Sequence, residues 1–371
     1  MREEAPAVTT QLTLRDDLRT VWTEHALWTR MFLIDSVAGL PGANAAAERL
    51  WRNQLDIGNA IKPFYGDAAG DRLADLLQVH VVGVAAVVSA AKAGDSTALS
   101  AANATWYGNA HEIALFLSDT SPHLSLVELD RMMKAHLDRT ESEAMARVHR
   151  ASATDAQAYD ATVAQALAIA DAMSGAIAQD FPDLVAVDTS TTQSSAGLHR
   201  EMRSLWQDHV GWARVLAVVS IAGLSDTDTA RARLLDNDVA IGNAFEPYYG
   251  PEAGRALTAL LDDHVTLADR VVLGAKARDV NELAVSTELW YANADRIAAF
   301  FARANPAWPG ERLRSMLRTV IDRITAQATS RLAGDWSTDA EAYDAAETNI
   351  LEMSDVLADG IVAQFPGRFA N

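Results

Sequence analysis

The second half of this 371-residue chain repeats the first half without a gap, at an offset of 184 residues. When residues 14–182 are set on residues 198–366, 61 of the 169 pairs are identical. The segment 57–66 returns as 241–250 with seven of its ten residues unchanged. Because no insertion is needed, the two halves should share one fold with loops of equal length. Polar residues present in only one half mark where the halves can differ in function.

The composition and the spacing of apolar residues both predict helices. Alanine and leucine dominate, whereas β-branched runs and Asn-Gly hairpin turns are scarce. Apolar residues recur every three or four positions, and three of these stripes contain a histidine: His25, His80 and His136. Glycine and proline separate six predicted helices in the first half, near residues 12–38, 43–62, 67–93, 96–118, 125–150 and 154–181. Helices of about 25 residues with short connections pack as antiparallel neighbours.

These features predict an all-α fold made of two tandem six-helix up-down bundle domains, related by a gapless internal duplication. We place the first bundle at residues 1–185 and the second at residues 197–371. Residues 186–196 between them are polar, lack periodicity and are predicted to form a linker. Because the two bundles have equal lengths, we expect the two repeats to pack on each other like a fused dimer.

Charge and composition exclude several classes of function. The net charge of −19 argues against nucleic-acid binding, which needs clustered lysine and arginine, and against binding to an anionic membrane surface. No apolar run reaches the roughly 18 residues of a membrane span. The absence of cysteine rules out disulfides and thiolate metal sites. The first residues lack the apolar core of a secretory signal, so we expect a cytoplasmic protein with no membrane partner.

A polar layer is predicted across the middle of the first bundle. Antiparallel helices of similar length bring their midpoints to one level, and His25, His80 and His136 lie at or near the midpoints of their helices. Asp56 and Asp171 lie within about one turn, roughly 5 Å, of that level. Buried polar groups need partners. A transition metal ion is one solution, because neutral imidazoles and carboxylates are common ligands of iron, zinc, manganese and copper.

The two halves diverge at this layer. His25 and His80 have histidine counterparts in the second half, whereas His136 does not. The residues that replace His136, Asp56 and Glu141 are Val320, Ala240 and Thr325. We therefore predict one competent metal site in the first half and a partly degenerate counterpart in the second. The candidate ligands are His25, Asp56, His80, His136 and Asp171 in the first half, with His209 and His264 in the second.

Other interpretations of these polar residues stay open. Asp171 can form a buried ion pair with Arg30 instead of binding a metal, and the second half offers the same pairing. Asparagines shared by both halves, such as Asn53, are expected to form structural hydrogen bonds. Gly58 and Gly242 lie inside helical patterns and are interpreted as points where two helices approach closely. The paired tryptophans can fill the core or line a haem or flavin pocket.

Several motifs of this chain have a familiar pattern. They are Glu24-His25 with Trp28-Thr29-Arg30, the segment 56–66, Trp106-Tyr107 with Asn109-Ala110, Tyr343-Asp344 and Gln364-Phe365-Pro366. Together they resemble a functionally uncharacterised bacterial family of small all-helical bundle domains, and the resemblance spans each half in full. It implies the domain fold and no particular activity. In such domains we expect histidine at the positions of His25, His80 and His136 together, a pattern from which Val320 departs.

The leading functional hypothesis from the sequence is a soluble metal-binding protein with a buried His/carboxylate site in the first repeat. An open coordination position would permit chemistry on a small-molecule ligand, as in an oxidoreductase or a hydrolase, or would suit a metal carrier. One alternative is a non-catalytic scaffold or binding module whose polar layer only sets helix register. Another is a haem- or flavin-binding bundle.

Overall fold

The computed structural model describes residues 9–187 and 192–370, and these ranges are almost entirely helical, which confirms the all-α prediction. The chain forms two compact units, Met1–Thr189 and Ser190–Asn371. The helices of the first unit are α1 (Gln11–Ala38), α2 (Ala43–Tyr65), α3 (Asp67–Ala93), α4 (Ser96–Thr120), α5 (Leu126–Val148) and α6 (Ser152–Asp180). Those of the second unit are α7 (Gln193–Ala222), α8 (Thr227–Tyr249), α9 (Pro251–Ala277), α10 (Val280–Ala304), α11 (Gly310–Ala333) and α12 (Trp336–Gln364), followed by a short 3-10 helix, Pro366–Arg368.

Each unit is a closed ring of six helices. In the first unit every helix packs against the next one along the chain, and α6 packs against α1. The odd-numbered helices α1, α3 and α5 also contact one another, so they meet at the centre of the bundle. The second unit repeats this arrangement, with α7, α9 and α11 in mutual contact. Since successive helices alternate in direction, the three central helices of each unit run the same way, and their midpoints share one level.

Large aromatic side chains fill the core of each unit. Six tryptophans, which form three equivalent pairs between the halves, are almost completely buried: Trp22, Trp28, Trp106, Trp206, Trp212 and Trp290. Burying one aromatic side chain removes roughly 150–250 Å² of surface from water, so these residues dominate the packing energy. Their burial supports the core-filling interpretation of the paired tryptophans.

The helices of the first unit begin and end within three residues of the predicted positions. The largest difference is at the end of α2, where Pro63 lies inside the helix rather than ending it. A proline so close to the end removes little hydrogen bonding, and the chain turns instead at Gly66, which has a φ of 84° that favours glycine. Pro247 and Gly250 occupy the same places in the second unit.

The segment between the units differs from the predicted 186–196 linker. Val185–Ala186 forms a short strand that pairs in parallel with Thr9–Thr10. Helix α7 begins directly after Thr192, because the Oγ1 atom of that residue accepts a hydrogen bond of 3.1 Å from the backbone N–H three residues later. Residues 188–191, in the middle of the predicted linker, lie outside the described residues.

Helices α2 and α3 approach each other at two glycines. A Cβ atom added to Gly70 would lie 2.6 Å from the backbone oxygen of Gly58, and one added to Gly58 would collide with the Gly70 backbone. The second unit repeats this contact, with 2.7 Å between a Cβ added to Gly242 and the oxygen of Gly254. The interpretation of Gly58 and Gly242 as close-approach points is confirmed.

Two helices of the first unit, α3 and α6, are long and apolar enough to cross a membrane by length and composition alone. Their most apolar 18-residue windows have mean hydropathies of 1.8 and 1.4. The sequence-based expectation considered only uninterrupted apolar runs, whereas isolated polar residues lower the mean hydropathy of these windows only slightly. In the bundle, 61% of the α3 window and 44% of the α6 window are buried against other helices.

A buried ion-pair network joins α1 to α5 and α6. Arg30 Nη1 lies 2.9 Å from Glu143 Oε1, and Arg30 Nη2 lies 3.2 Å from Asp155 Oδ2. The predicted alternative pairing of Arg30 with Asp171 is wrong. Asp171 instead accepts hydrogen bonds of 2.8 and 2.9 Å from Arg19. Because α1 and α6 run antiparallel, the end of α1 faces the start of α6, so Arg30 meets Asp155 and Arg19 meets Asp171.

Candidate metal centre

One histidine from each central helix of the first unit points towards a common centre: His25 from α1, His80 from α3 and His136 from α5. The ring centroids are 6.2 Å apart for His25 and His80, 5.5 Å for His25 and His136, and 5.7 Å for His80 and His136. One ring nitrogen of each residue lies within 4.8 Å of those of the other two. All three side chains are buried. The three histidines predicted to share a level therefore form one cluster.

Each histidine of the cluster has a buried ring nitrogen without a hydrogen-bond partner. These atoms are His25 Nδ1, His80 Nε2 and His136 Nδ1. A buried polar atom left unpaired costs roughly 1–3 kcal/mol, and such atoms in a native core call for an explanation. Zinc holds nitrogen ligands at about 2.0–2.1 Å, which places tetrahedral ligands about 3.4 Å apart. The ring nitrogens, which lie within 4.8 Å of one another, would have to approach to that spacing to share one ion.

Asn109 fixes the tautomer of His80. Its Nδ2 atom donates a hydrogen bond of 3.1 Å to the backbone oxygen of Leu76, so its Oδ1 atom faces His80 Nδ1 at 3.3 Å. An amide oxygen can only accept, and His80 Nδ1 must therefore carry the proton. This leaves the lone pair on Nε2, and a histidine that binds a metal commonly has its other ring nitrogen hydrogen-bonded in this way.

Burial keeps the three imidazoles neutral at pH 7. It lowers the pKa of His25 to about 4, against a smaller opposing effect of the neighbouring Gln54. Burial, together with the neighbouring His25, lowers the pKa of His80 to about 3. The pKa of His136 is lowered well below its usual value, first by burial and then by the other two histidines. Neutral imidazole is the form that binds a metal.

Gln54 on α2 is a site residue that sequence reasoning missed. Its side chain is fully buried, and its Nε2 atom donates a hydrogen bond of 2.6 Å to the backbone oxygen of Leu50. The Oε1 atom has no hydrogen-bond partner and belongs to the side chain that contacts His25. It can accept a hydrogen bond from the ring or offer a neutral oxygen ligand. The signal for it was the replacement of Gln54 by Asp238 in the second half.

The carboxylates predicted as ligands lie away from the histidines. The Asp56 side chain is 46% exposed and lies 3.6 Å from Arg49 Nη1. Asp171 pairs with Arg19 of α1. Glu141, which the second half replaces with threonine, accepts a hydrogen bond of 2.6 Å from Asn103. These residues share the level of the cluster but not its direction, because successive residues of a helix are rotated by about 100°. Of the ligands predicted in the first half, the structure brings the three histidines together and leaves Asp56 and Asp171 apart from them.

In the second unit the histidine at the equivalent level on α7 has a different electrostatic environment. His209 Nδ1 lies 3.2 Å from Asn237 Oδ1 and 3.0 Å from Asp238 Oδ1. Burial alone would lower the pKa of His209, but the charge and hydrogen bond of Asp238 raise it above its usual value. An imidazolium has no lone pair for a metal. The exchange of Gln54 for Asp238 therefore favours a proton over a metal ion at this histidine.

The other histidine of the second unit repeats the arrangement of the first. His264 Nδ1 lies 2.7 Å from Asn293 Oδ1, and Asn293 Nδ2 donates a hydrogen bond of 3.0 Å to the backbone oxygen of Leu260. Burial lowers the pKa of His264 to about 4. Val320 occupies the position of the third histidine and offers no ligand atom. Within residues 192–370, no three histidine, aspartate or glutamate side chains come close enough to share an ion.

No protein-family model matches this chain, and searches of curated proteins and of solved structures find no similar protein.

Proposed function

We propose that the first bundle binds a single transition metal ion through His25, His80 and His136. The observation that carries this proposal is the convergence of three buried, neutral imidazoles, each with an unpartnered ring nitrogen. Without an ion, these nitrogens lose water and gain no hydrogen bond in return, which costs free energy. A bound ion would accept the lone pairs and join the three central helices.

The donor atoms favour zinc, copper or iron over manganese. Imidazole nitrogen suits the first three metals, whereas manganese prefers carboxylate and water oxygens. No carboxylate belongs to the cluster, so the protein does not neutralise the charge of the ion. Three protein ligands leave a further position for water, for a small molecule or for the amide oxygen of Gln54. Such a site suits a metal carrier or a metal-dependent oxidoreductase.

A structural polar layer is the second candidate function. The second unit favours it, since His264 Nδ1 pairs with Asn293 and His209 Nδ1 lies 3.0 Å from the Asp238 carboxylate without an ion. The haem or flavin hypothesis has less support. A cofactor of that size needs a pocket of roughly 300–1,000 Å³. Trp22 and Trp106, which pack beside the histidines of the first unit, are 1% exposed and fill this space themselves.

Cobalt titration of the chelator-treated protein tests the proposal. Co²⁺ takes the same nitrogen ligands as zinc, and its visible absorbance reports a tetrahedral environment. We expect saturation at about one equivalent per chain. His136→Val should abolish the absorbance, because it removes one of three ligands. The fold should tolerate this change, since Val320 occupies the equivalent position in the second bundle.

The matched control is a pair of alanine substitutions at equivalent positions. His80→Ala removes a proposed ligand, whereas His264→Ala removes the same histidine from the second bundle, so both delete a buried ring of equal size. His80→Ala should abolish cobalt binding and His264→Ala should leave it unchanged. Equal effects of the two substitutions, or no binding by the unmodified protein, would favour the structural polar layer.

A further inference from the structure

The second unit contains a small internal pocket beside its two central histidines. Its volume is about 30 Å³, and its walls include His209, His264, Trp290 and the aliphatic side chains of Leu216 and Val272. A cavity needs roughly 10–15 Å³ to hold one water molecule, so this pocket has room for about two or three heavy atoms. The walls are mostly apolar, with the imidazoles as the main polar groups.

The pocket coincides with a set of smaller side chains in the second half. Ala217 and Ala268 line it, and the first half has Leu33 and Val84 at these positions. Both larger side chains are buried in the first bundle. Ala213, also in the wall, replaces the buried Thr29 in the same way. These exchanges remove core volume next to the histidines, and a core normally retains such a void only at a cost in stability.

The two histidines present opposite hydrogen-bonding groups. In His264, Nδ1 bonds to Asn293 Oδ1, whose amide is fixed by Leu260, so the lone pair lies on Nε2. In His209, Nδ1 faces Asn237 Oδ1 and Asp238 Oδ1, and the carboxylate 3.0 Å away favours the doubly protonated ring, in which Nε2–H is a donor. One acceptor and one donor in the wall of one pocket match a hydroxyl group, which can donate to the first and accept from the second.

The charges around the pocket select a neutral ligand. A positive charge on His209 is balanced by Asp238, 3.0 Å away. Asp269, the carboxylate in the wall, lies 2.7 Å from Arg231 Nη2 and accepts a hydrogen bond of 3.2 Å from Ser220. Neither charge is left for a ligand to neutralise. An anion or a cation would therefore lose its hydration without finding a free counter-charge.

We propose that the pocket of the second bundle binds a small neutral hydroxyl compound of about two or three heavy atoms, with its hydroxyl between His209 and His264. The apolar part of the ligand would lie against Leu216 and Val272. This proposal does not depend on metal binding in the first bundle, and the two can fail separately. It gives the second bundle a role of its own at the place where the first binds its ion.

Ethanol is the probe for this proposal. The full-length protein, labelled with ¹⁵N in its histidines, is titrated with ethanol while the ring nitrogens are followed by NMR. We expect saturable shifts of the Nε2 signals of His209 and His264 in the millimolar range, because so small a ligand has few contacts. The His25, His80 and His136 signals should stay unchanged. Shifts that grow linearly without saturation, or none at all, would overturn the proposal.

Two cavity-filling variants provide the control. Ala217→Leu restores the residue of the first bundle and should weaken ethanol binding at least tenfold. Ala268→Val fills less space and should weaken it by a smaller factor, so it keeps the test valid if the leucine variant does not fold. Propane, which has the shape of ethanol without its hydroxyl, should bind more weakly. Unchanged binding in both variants, or equal binding of propane, would contradict the proposed site.

Discussion

At the scale of single residues, Asn109 determines which nitrogen of His80 is available to a metal. Replacing Asn109 with leucine removes the acceptor for His80 Nδ1, so the ring loses its fixed tautomer. Removing the hydrogen-bond partner of a metal ligand typically lowers metal affinity by about 10–100-fold. We expect such a loss when zinc binding is measured by calorimetry.

The chain supplies the control for this substitution. Asn293→Leu breaks the same hydrogen bonds in the second bundle, so its effect on folding should be similar. It should leave zinc affinity unchanged. If the two variants bind zinc equally well, Asn109 has no positioning role.

The buried histidines also make a prediction about acid stability in the metal-free protein. Histidines of the unfolded chain gain protons below about pH 6.5, whereas burial holds the pKa of His25 at about 4 and that of His80 at about 3. The unfolded state therefore binds more protons between pH 6.5 and 4, and the free energy of unfolding falls as the pH is lowered. Each such histidine contributes up to about 1.4 kcal/mol per pH unit.

His136→Val isolates this effect. With one buried histidine fewer, the urea-unfolding midpoint of the variant should fall less steeply between pH 7 and pH 5 than that of the parent protein. Glu143 has the opposite sign, because burial raises its pKa to about 7 and its contribution is lost as the pH rises. It is present in both proteins and cancels in the comparison. Parallel pH profiles would show that His136 is not held neutral.

The three histidines could be predicted because each lies at the centre of an apolar stripe. The position along the helix gives the level of the residue in the bundle, and the stripe shows that its side chain faces the core. Asp56 and Asp171 were predicted from their level in the bundle alone. They lie on other faces of their helices, where they pair with arginines. Gln54 was missed because a glutamine on a helix gives no chemical signal by itself. Its role depends on the His25 ring that the fold places beside it.

At the scale of helices, the glycine contact between α2 and α3 makes the next prediction. Gly58→Ala should destabilise the protein by about 1–3 kcal/mol, since the added methyl group meets the Gly70 backbone, which cannot move aside locally. Gly108→Ala should instead stabilise it by about 0.5–1 kcal/mol. That position is exposed, has no neighbouring atom within 4 Å of an added Cβ, and corresponds to Ala292.

Thermal denaturation of the two alanine variants checks this pair of predictions. Opposite shifts of Tm are expected from the same chemical change on two helices of one bundle. A loss of stability in both would show that the helix contact at Gly58 is not the cause.

The helices themselves could be predicted closely because glycine, proline and the apolar period coincide at their ends. Two details could not. Helix α2 continues through Pro63 and ends just before Gly66, whose backbone conformation is set by the fold. The pairing of Val185–Ala186 with Thr9–Thr10 joins segments far apart in the sequence, and neither has a strand-like pattern of its own.

At the scale of the whole molecule, the duplication gives two bundles with one architecture and different centres. In both bundles three central helices bring their midpoints together. The first of these helices carries a histidine at that level in each bundle. The first bundle places glutamine beside that histidine and adds His136. The second has Asp238 and Val320 at those positions and smaller side chains next to them. A few exchanges at one level thus separate the proposed metal site from the proposed pocket for a neutral ligand.

Elemental analysis of the purified, untagged protein, with His136→Val and His264→Ala alongside, decides whether the three histidines of the first bundle hold a metal ion. The account predicts about one transition metal ion per chain in the unmodified protein. It predicts none in His136→Val and an unchanged content in His264→Ala. Two ions per chain, or an undiminished metal content in His136→Val, would contradict a single site made of His25, His80 and His136.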